Sequence, residues 1–222
     1  VSHELRSPLA RLQVALGLAR QRGPNQPFPE LDRIEREAER LNDLIAQLLS
    51  LARLESDAGL PRTECVDLAA LVAEIAESAD YEVSASKRGV HVVASIPAHI
   101  EANPTLLHSA LENVVRNAAK YTAEGTGVEV SLSTDGQRAG WVLVQVRDQG
   151  PGVPDDMLAR LFDPFVRVGD ARDRASGGYG LGLAIAKRAI QLHGGEIMAR
   201  NHAEGGLAVS IQLPTDRIRS NS

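Results

Sequence analysis

The sequence predicts an α-helical hairpin that pairs with a second copy into a four-helix bundle, followed by an α/β two-layer sandwich. Three observations predict it: two heptad-like apolar stretches at the start, a Pro- and Gly-rich break between them, and a later alternation of helix-period and strand-period segments. Of the 222 residues, 43% are hydrophobic and 24% charged, which is the balance of a packed globular chain and argues against wholesale disorder. A net charge of -5 supplies no basic field to hold nucleic acid, and one Trp, three Tyr and three Phe are not arranged for base stacking. Cys65 is the single cysteine, so there is no internal disulfide and no multi-Cys metal site. No apolar run approaches the roughly 18 residues of a membrane helix. The chain opens Val1-Ser2-His3 without an initiator Met, already inside a helical pattern, and is expected to be a soluble piece of a longer protein.

Leu5, Leu9, Leu12, Leu16 and Ala19 step by three and four, as do Leu31, Ile34, Ala38, Leu41, Ile45, Leu48 and Ala52. Both are apolar seams of bundle helices. Between them Gly23-Pro24-Asn25-Gln26-Pro27-Phe28-Pro29 cannot continue a helix. One stripe per helix is a thin core, so two hairpins are expected to pair as a homodimer. The hairpin is assigned to residues 1–58, a linker to 59–66, a second domain to 67–216 and a frayed tail to 217–222.

In the second domain Asp67 reads as an N-cap, and Val90, Val92, Ala94 and Ile96 alternate as a strand. Asn103-Pro104 opens a helix running through about Tyr121. Val128–Ser133 and Trp141–Arg147 flank Asp135-Gly136 as paired strands. A short helix is expected near Pro154–Leu161, a longer one over Leu181–His193, and closing strands over Glu196–Ala199 and Leu207–Leu213.

Four groups of residues carry chemistry. His3 has a neighbouring carboxylate, Glu4, that can accept a ring N–H and leave the other nitrogen as a nucleophile. Pro8 removes the amide that would bond the Glu4 carbonyl and loosens the helix there, although a plain surface histidine is the simpler alternative. Asn113 and Asn117 lie at i, i+4 on one helical face with Lys120 further along it. Amide oxygens suit Mg²⁺ and the lysine suits phosphate; a polar outer helix face fits equally well. Asp148-Gln149-Gly150-Pro151-Gly152 sets a carboxylate at a strand end, able to accept from an exocyclic amine, or forms only a tight turn. Gly178-Tyr179-Gly180-Leu181-Gly182 leads into a helix as a phosphate cradle would, and Arg172 and Arg174 precede it in a loop that could swing onto phosphates.

Taken in order, these segments resemble the boxes of bacterial two-component sensor histidine kinases. His3-Glu4-Leu5-Arg6-Ser7-Pro8-Leu9 resembles the H box and Glu112 to Tyr121 the N box. Asp148–Gly152 resembles the G1 box, Phe162-Asp163-Pro164-Phe165 the F box and Gly178–Leu183 the G2 box. The 171–174 loop and the second helix are most similar to envelope-stress sensors of the Cpx type. The resemblance implies a dimerisation and phosphotransfer hairpin followed by a Bergerat-fold domain that binds ATP with Mg²⁺. It implies Asp148 at the adenine amine, Tyr121 beside the base, Asn113 and Asn117 around the Mg²⁺-triphosphate and Lys120 near phosphate. Gly150 and Gly152 would line the base, and Gly178, Gly180, Leu181 and Gly182, with Arg172 and Arg174, would close over the phosphates. It further implies that His3 attacks the γ-phosphate with Glu4 as orienting base, then passes the phosphoryl group to an aspartate of a response regulator. Ser7 stands where relatives carry the residue linked to dephosphorylating that regulator. Gly205-Gly206-Leu207 is assigned a structural role. The parent is expected to be anchored in the bacterial inner membrane with this portion cytoplasmic. Two rival readings are an ATPase of the gyrase or chaperone kind, with Glu112 activating water, and a dimeric scaffold with a degenerate pocket.

Overall fold

The computed structural model describes residues 12, 14–18, 29–55, 62–168 and 178–215. The chain divides into two compact units, Val1–Arg53 and Leu54–Ser222. His3, Glu4, Ser7, Arg172, Arg174 and the 217–222 tail lie outside the described residues.

In the first unit Leu12 and residues 14–18 are helical, and α1 spans Pro29–Glu55. Pro29 fits the first helical turn because its missing N–H has no intrahelical acceptor there. The heptad stripe read from the sequence is open to solvent in the single chain, with Leu31 53% and Ile45 46% exposed. The most buried positions of this helix are Glu37, Leu44, Leu51 and Leu54. Ile34, Leu41 and Leu48 of the heptad stripe are half-buried, so the stripe stays partly open, as expected of a seam that a second hairpin would cover.

The second unit begins with β1 (Glu64–Asp67), which takes in the end of the stretch expected as a linker. Asp67 caps α2 (Leu68–Val83), its carboxylate accepting from Ala70 N at 3.1 Å. A short 3₁₀ turn, Ser84–Ser86, leads to β2 (Gly89–Ala94) and then β3 (His99–Ala102). Next come α3 (Pro104–Tyr121), β4 (Gly127–Thr134), β5 (Trp141–Arg147), α4 (Asp155–Leu158), α5 (Gly182–Leu192), β6 (Glu196–Asn201) and β7 (Leu207–Pro214).

Five strands form one sheet in the order β2-β4-β5-β7-β6, and β1 pairs with β3 separately. Only β2–β4 is parallel; the other pairs of the large sheet are antiparallel. The register aligns Val130 with Val146 and Val209, and Leu132 with Val144 and Ile211, so one face is continuously aliphatic. All of these side chains are buried, each worth roughly 1.5–3 kcal/mol of transfer free energy. The helices α2, α3 and α5 form the second layer, α3 packing between the other two. The opposite sheet face carries Ser131, Ser133, Gln145, Ser210 and Gln212, as the period of two requires.

One expectation needs correction. The strand read over Val90 to Ile96 ends at Ala94, is irregular between Val92 and Ala94, and buries only Val90. It is an edge strand, so alternation there does not report a covered face.

A buried histidine ties the two ends of the helical layer. His193 closes α5: its Nδ1–H donates to Ala189 O at 2.7 Å, and Nε2 accepts from Asn103 N at 3.0 Å. Asn103 in turn caps α3, its side-chain oxygen accepting from Leu106 N. Burial pushes the imidazole pKa below its ordinary value. As pH falls, the unfolded chain therefore takes up this proton first. The neutral clip contributes fully above about pH 6.5 and is lost as the pH drops from there toward the depressed folded value. Urea unfolding across this range should show a steeper acid loss of stability in the wild type than in His193→Gln; equal slopes would contradict the assignment.

Candidate nucleotide site

The site is built at the end of β5, where the chain leaves the sheet with Asp148. Its carboxylate is 4% exposed, and a single oxygen, Oδ1, accepts from Gly150 N at 2.8 Å and Leu207 N at 3.1 Å. Oδ2 accepts no hydrogen bond among the described residues. Burial raises the carboxyl pKa, opposed by the two backbone amides. The second oxygen is thus an acceptor without a protein donor on an otherwise buried residue.

The loop around it depends on close backbone approach. A Cβ at Gly150 would strike the Tyr121 carbonyl, and one at Gly206, where φ is +86°, would strike the Asp148 carbonyl. Two glycines therefore let the end of α3, the loop after β5 and the β6–β7 turn converge on one carboxylate. Thr122, almost wholly buried, accepts from Gln149 N at 3.2 Å and shares a hydroxyl contact of 2.9 Å with Thr126. Asn201 holds the far side of the loop: Val153 N donates to its Oδ1 at 2.9 Å, and its Nδ2 donates to Val153 O at 2.6 Å.

Along α3, Asn113 faces α5, with its Oδ1 2.7 Å from where a Gly182 Cβ would stand; its Nδ2 donates to Ser109 O. Lys120 Nζ lies 5.2 Å above the Tyr121 ring and 3.4 Å from a Cβ built on Gly178. Asn117 is half-buried between them, its amide without a partner among the described residues. The Phe162–Phe165 segment joins the same wall, Phe165 N donating to Gly180 O at 2.9 Å. Leu181 is fully buried and caps α5, so its side chain belongs to the core.

The structure thus brings together Asn113, Asn117, Lys120, Tyr121, Asp148, Gly150, Gly152, Gly178, Gly180 and Gly182. Sequence reasoning missed Thr122, Asn201 and the Leu207 amide. Thr122 carried a signal, as a hydroxyl residue directly after a helix; Asn201 carried none, because its partners are 46 to 48 residues away.

A two-layer sandwich with a mostly antiparallel sheet, a buried strand-end carboxylate and a glycine-rich turn opening onto a helix of asparagines defines a nucleotide-binding domain of the ATPase kind. The chain belongs to the sensor histidine kinases: residues 102–217 match the histidine kinase-, DNA gyrase B- and HSP90-like ATPase family, and residues 1–57 match the His Kinase A (phospho-acceptor) domain. It is 40% identical to the sensor histidine kinase CpxA of Escherichia coli (strain K12) over 217 residues, which are 96% of this chain and 45% of that protein. It spans about half the length of such curated relatives. Among solved structures, full-length ShkA in complex with AMPPNP superposes with a TM-score of 0.72 at 28% identity, over 96% of this chain and 44% of that one. The Acinetobacter baumannii histidine kinase AdeS shares the fold, with a TM-score of 0.76 at 20% identity, covering 96% of this chain and 98% of that one.

The Asn201 clamp is testable. Asn201→Ala leaves the Val153 amide to water in place of its acceptor, at a cost of about 0.5–1.5 kcal/mol. Hydrogen exchange should accelerate at Val153 while the β5 and β7 amides stay protected; unchanged exchange at Val153 would contradict the clamp.

Proposed function

We propose that this chain is the catalytic core of a two-component sensor kinase, which phosphorylates its own His3 from Mg-ATP and passes the phosphoryl group to a response-regulator aspartate. The carrying observation is Asp148: a buried carboxylate with one oxygen saturated by backbone amides and the other open suits the exocyclic amine of adenine. That two backbone donors already fix the carboxylate means it needs no reorganisation to receive the base.

Asn113, Asn117 and Lys120 share the flank of α3 toward Gly178–Gly182 and supply amide oxygens and one cation where a triphosphate with Mg²⁺ would lie. Among the described residues no group of three or more His, Cys, Asp or Glu side chains can hold a metal ion. This suits a Mg²⁺ that arrives with the triphosphate and keeps several of its waters. Arg172 and Arg174 would add charge from the segment before Gly178. In the transfer, one ring nitrogen of His3 attacks the γ-phosphorus, the bond to the β–γ bridging oxygen breaks, and ADP leaves with that oxygen. Glu4 accepts the other ring N–H and steadies the imidazolium. Ser7, four residues after His3, would orient water in the dephosphorylating reaction on the regulator.

One observation favours this over a water-activating ATPase. Glu112 is turned to the α2 side of α3, within 3.6 Å of Arg116 and 3.8 Å of His108, while Arg116 also pairs with Glu82. The Asn113 flank lies on the other side. The exposed apolar positions of the hairpin, including Leu16, Leu31, Ile45 and Leu49, support pairing with a second copy over residues 1–58. The regulator would dock on the same hairpin, and residues 59–66 would link it to the catalytic domain, 67–216. Among the described residues no helix is long and apolar enough to cross a membrane, so anchoring in the bacterial inner membrane would come from the remainder of the parent.

Incubation with γ-labelled ATP and Mg²⁺ should give an acid-labile, alkali-stable label that is absent in His3→Gln. Label retained in His3→Gln, or release of free phosphate with no labelled protein, would contradict the proposal. Asp148→Asn should weaken ATP binding by at least about tenfold, roughly 1.4 kcal/mol. Because burial raises the Asp148 pKa, wild-type affinity should begin to fall on acidification at a higher pH than an ordinary carboxylate would give. A titration of fluorescent nucleotide against pH checks both.

A further inference from the structure

The loop after β5 is anchored amide by amide. Asp148 N donates to Leu207 O at 3.0 Å, Gln149 N to Thr122 Oγ1 at 3.2 Å and Gly150 N to Asp148 Oδ1 at 2.8 Å. The first acceptor belongs to β7 and the third to the loop itself. The middle one is a side-chain hydroxyl on the residue that ends α3. It ties the loop to the helix that carries Asn113, Asn117 and Lys120.

Thr122 is 1% exposed, so water has little access to replace its hydroxyl. The direction of its proton follows from its neighbours. Thr126 Oγ1 lies 2.6 Å from the Ala123 carbonyl, which can only accept, so Thr126 spends its single hydroxyl proton there. Thr122 O–H therefore donates across the 2.9 Å contact to Thr126 Oγ1, and a lone pair of Thr122 is left for Gln149 N–H. The result is one directed chain from Gln149 N–H through Thr122 and Thr126 to the Ala123 carbonyl, in which each bond polarises the next. Beside it, a Cβ on Gly150 would strike the Tyr121 carbonyl. Tyr121 and Thr122 together thus set the height of Gln149 and Gly150 over the end of α3.

We infer that Thr122 is a specificity-determining positioning residue of the nucleotide site: through the Gln149 amide it holds the peptide that aims the Asp148 carboxylate. The inference rests on the reading of Asp148 Oδ2 as the acceptor of the adenine amine. The amides of Gly150 and Leu207 both meet Oδ1 and so hold one point of the carboxylate. The direction of Oδ2 follows from the backbone on which the side chain stands. Recognition of an amine by one oxygen is sensitive to that direction, because a hydrogen bond weakens steeply off line. The Asn113 and Lys120 flank does not depend on it. Loss of the Thr122 hydroxyl therefore falls on base selection more than on nucleotide binding as a whole.

The test is competition binding of ATP and purine riboside triphosphate, which lacks the exocyclic amine, to the full chain as wild type, Thr122→Val, Thr122→Ser and Thr126→Val. Preference for ATP should fall from at least about tenfold in the wild type to under about threefold in Thr122→Val, the isosteric change that removes only the hydroxyl chemistry. Thr122→Ser should keep the wild-type preference, and Thr126→Val should lower it by a smaller factor. Hydrogen exchange at the Gln149 amide should accelerate in Thr122→Val and stay slow in Thr122→Ser, with the β4, β5 and β7 amides protected throughout. If Thr122→Val does not fold, the drop in Thr126→Val decides. A merely structural role would weaken both nucleotides together and leave their ratio unchanged. An unchanged ratio in the Val variants, or a Thr122→Ser ratio as low as that of Thr122→Val, would overturn the inference. A wild type without preference would instead remove the adenine reading of Asp148, and this inference with it.

Discussion

The geometry of the nucleotide end rests on one buried carboxylate satisfied on one side only. Asp148 Oδ1 collects the amides of Gly150 and Leu207, which come from segments 57 residues apart in sequence, and in doing so pins the β6–β7 turn against the loop after β5. A carboxylate that is 4% exposed is expensive to keep charged, and burial shifts its titration upward accordingly. Two oriented backbone donors offset that cost without occupying Oδ2. Rigid support on one oxygen and an open second oxygen make the group a structural tie that is also suited to act as the proposed receptor.

The remaining parts of the site follow from where the helical layer sits on the sheet. The aliphatic face of β4, β5 and β7 fixes α3 between α2 and α5, and that placement sorts the polar residues of α3 by flank. Asn113 meets Gly182 on the α5 side, whereas Glu112 and Arg116 meet Glu82 on the α2 side. Neighbouring residues in one motif thus serve different purposes. The His193–Asn103 clip holds the end of α5 to the start of α3, so the glycine-rich entry to α5 and the asparagine face keep their relative position.

Much of this was legible in the sequence because it is local. Asp67 and Asn103-Pro104 announce their helices through caps that act over three residues, and the Val128–Ser133 alternation reports a strand with one covered face. The conjunction of short motifs in order pointed to the ATPase-family domain before any geometry was known. What escaped depends on distant partners. β1 and β3 are four residues each and exist by pairing with one another, too short for a periodic signal. Asn201, His193 and the Leu207 amide owe their roles to contacts 46 to 90 residues away. The burial of Glu37 on α1 escaped for another reason: hydropathy alone would never select a glutamate as a covered position.

If Asp148 Oδ2 receives the exocyclic amine of the base, nucleotide affinity depends on that amine. Competitive binding of ATP, purine riboside triphosphate and GTP to the wild-type chain tests it most directly, since the second lacks the amine and the third presents a carbonyl oxygen in its place. ATP should bind at least about tenfold more tightly than either analogue, the difference expected for one charge-assisted hydrogen bond in a largely buried site. Equal affinities for all three would contradict it.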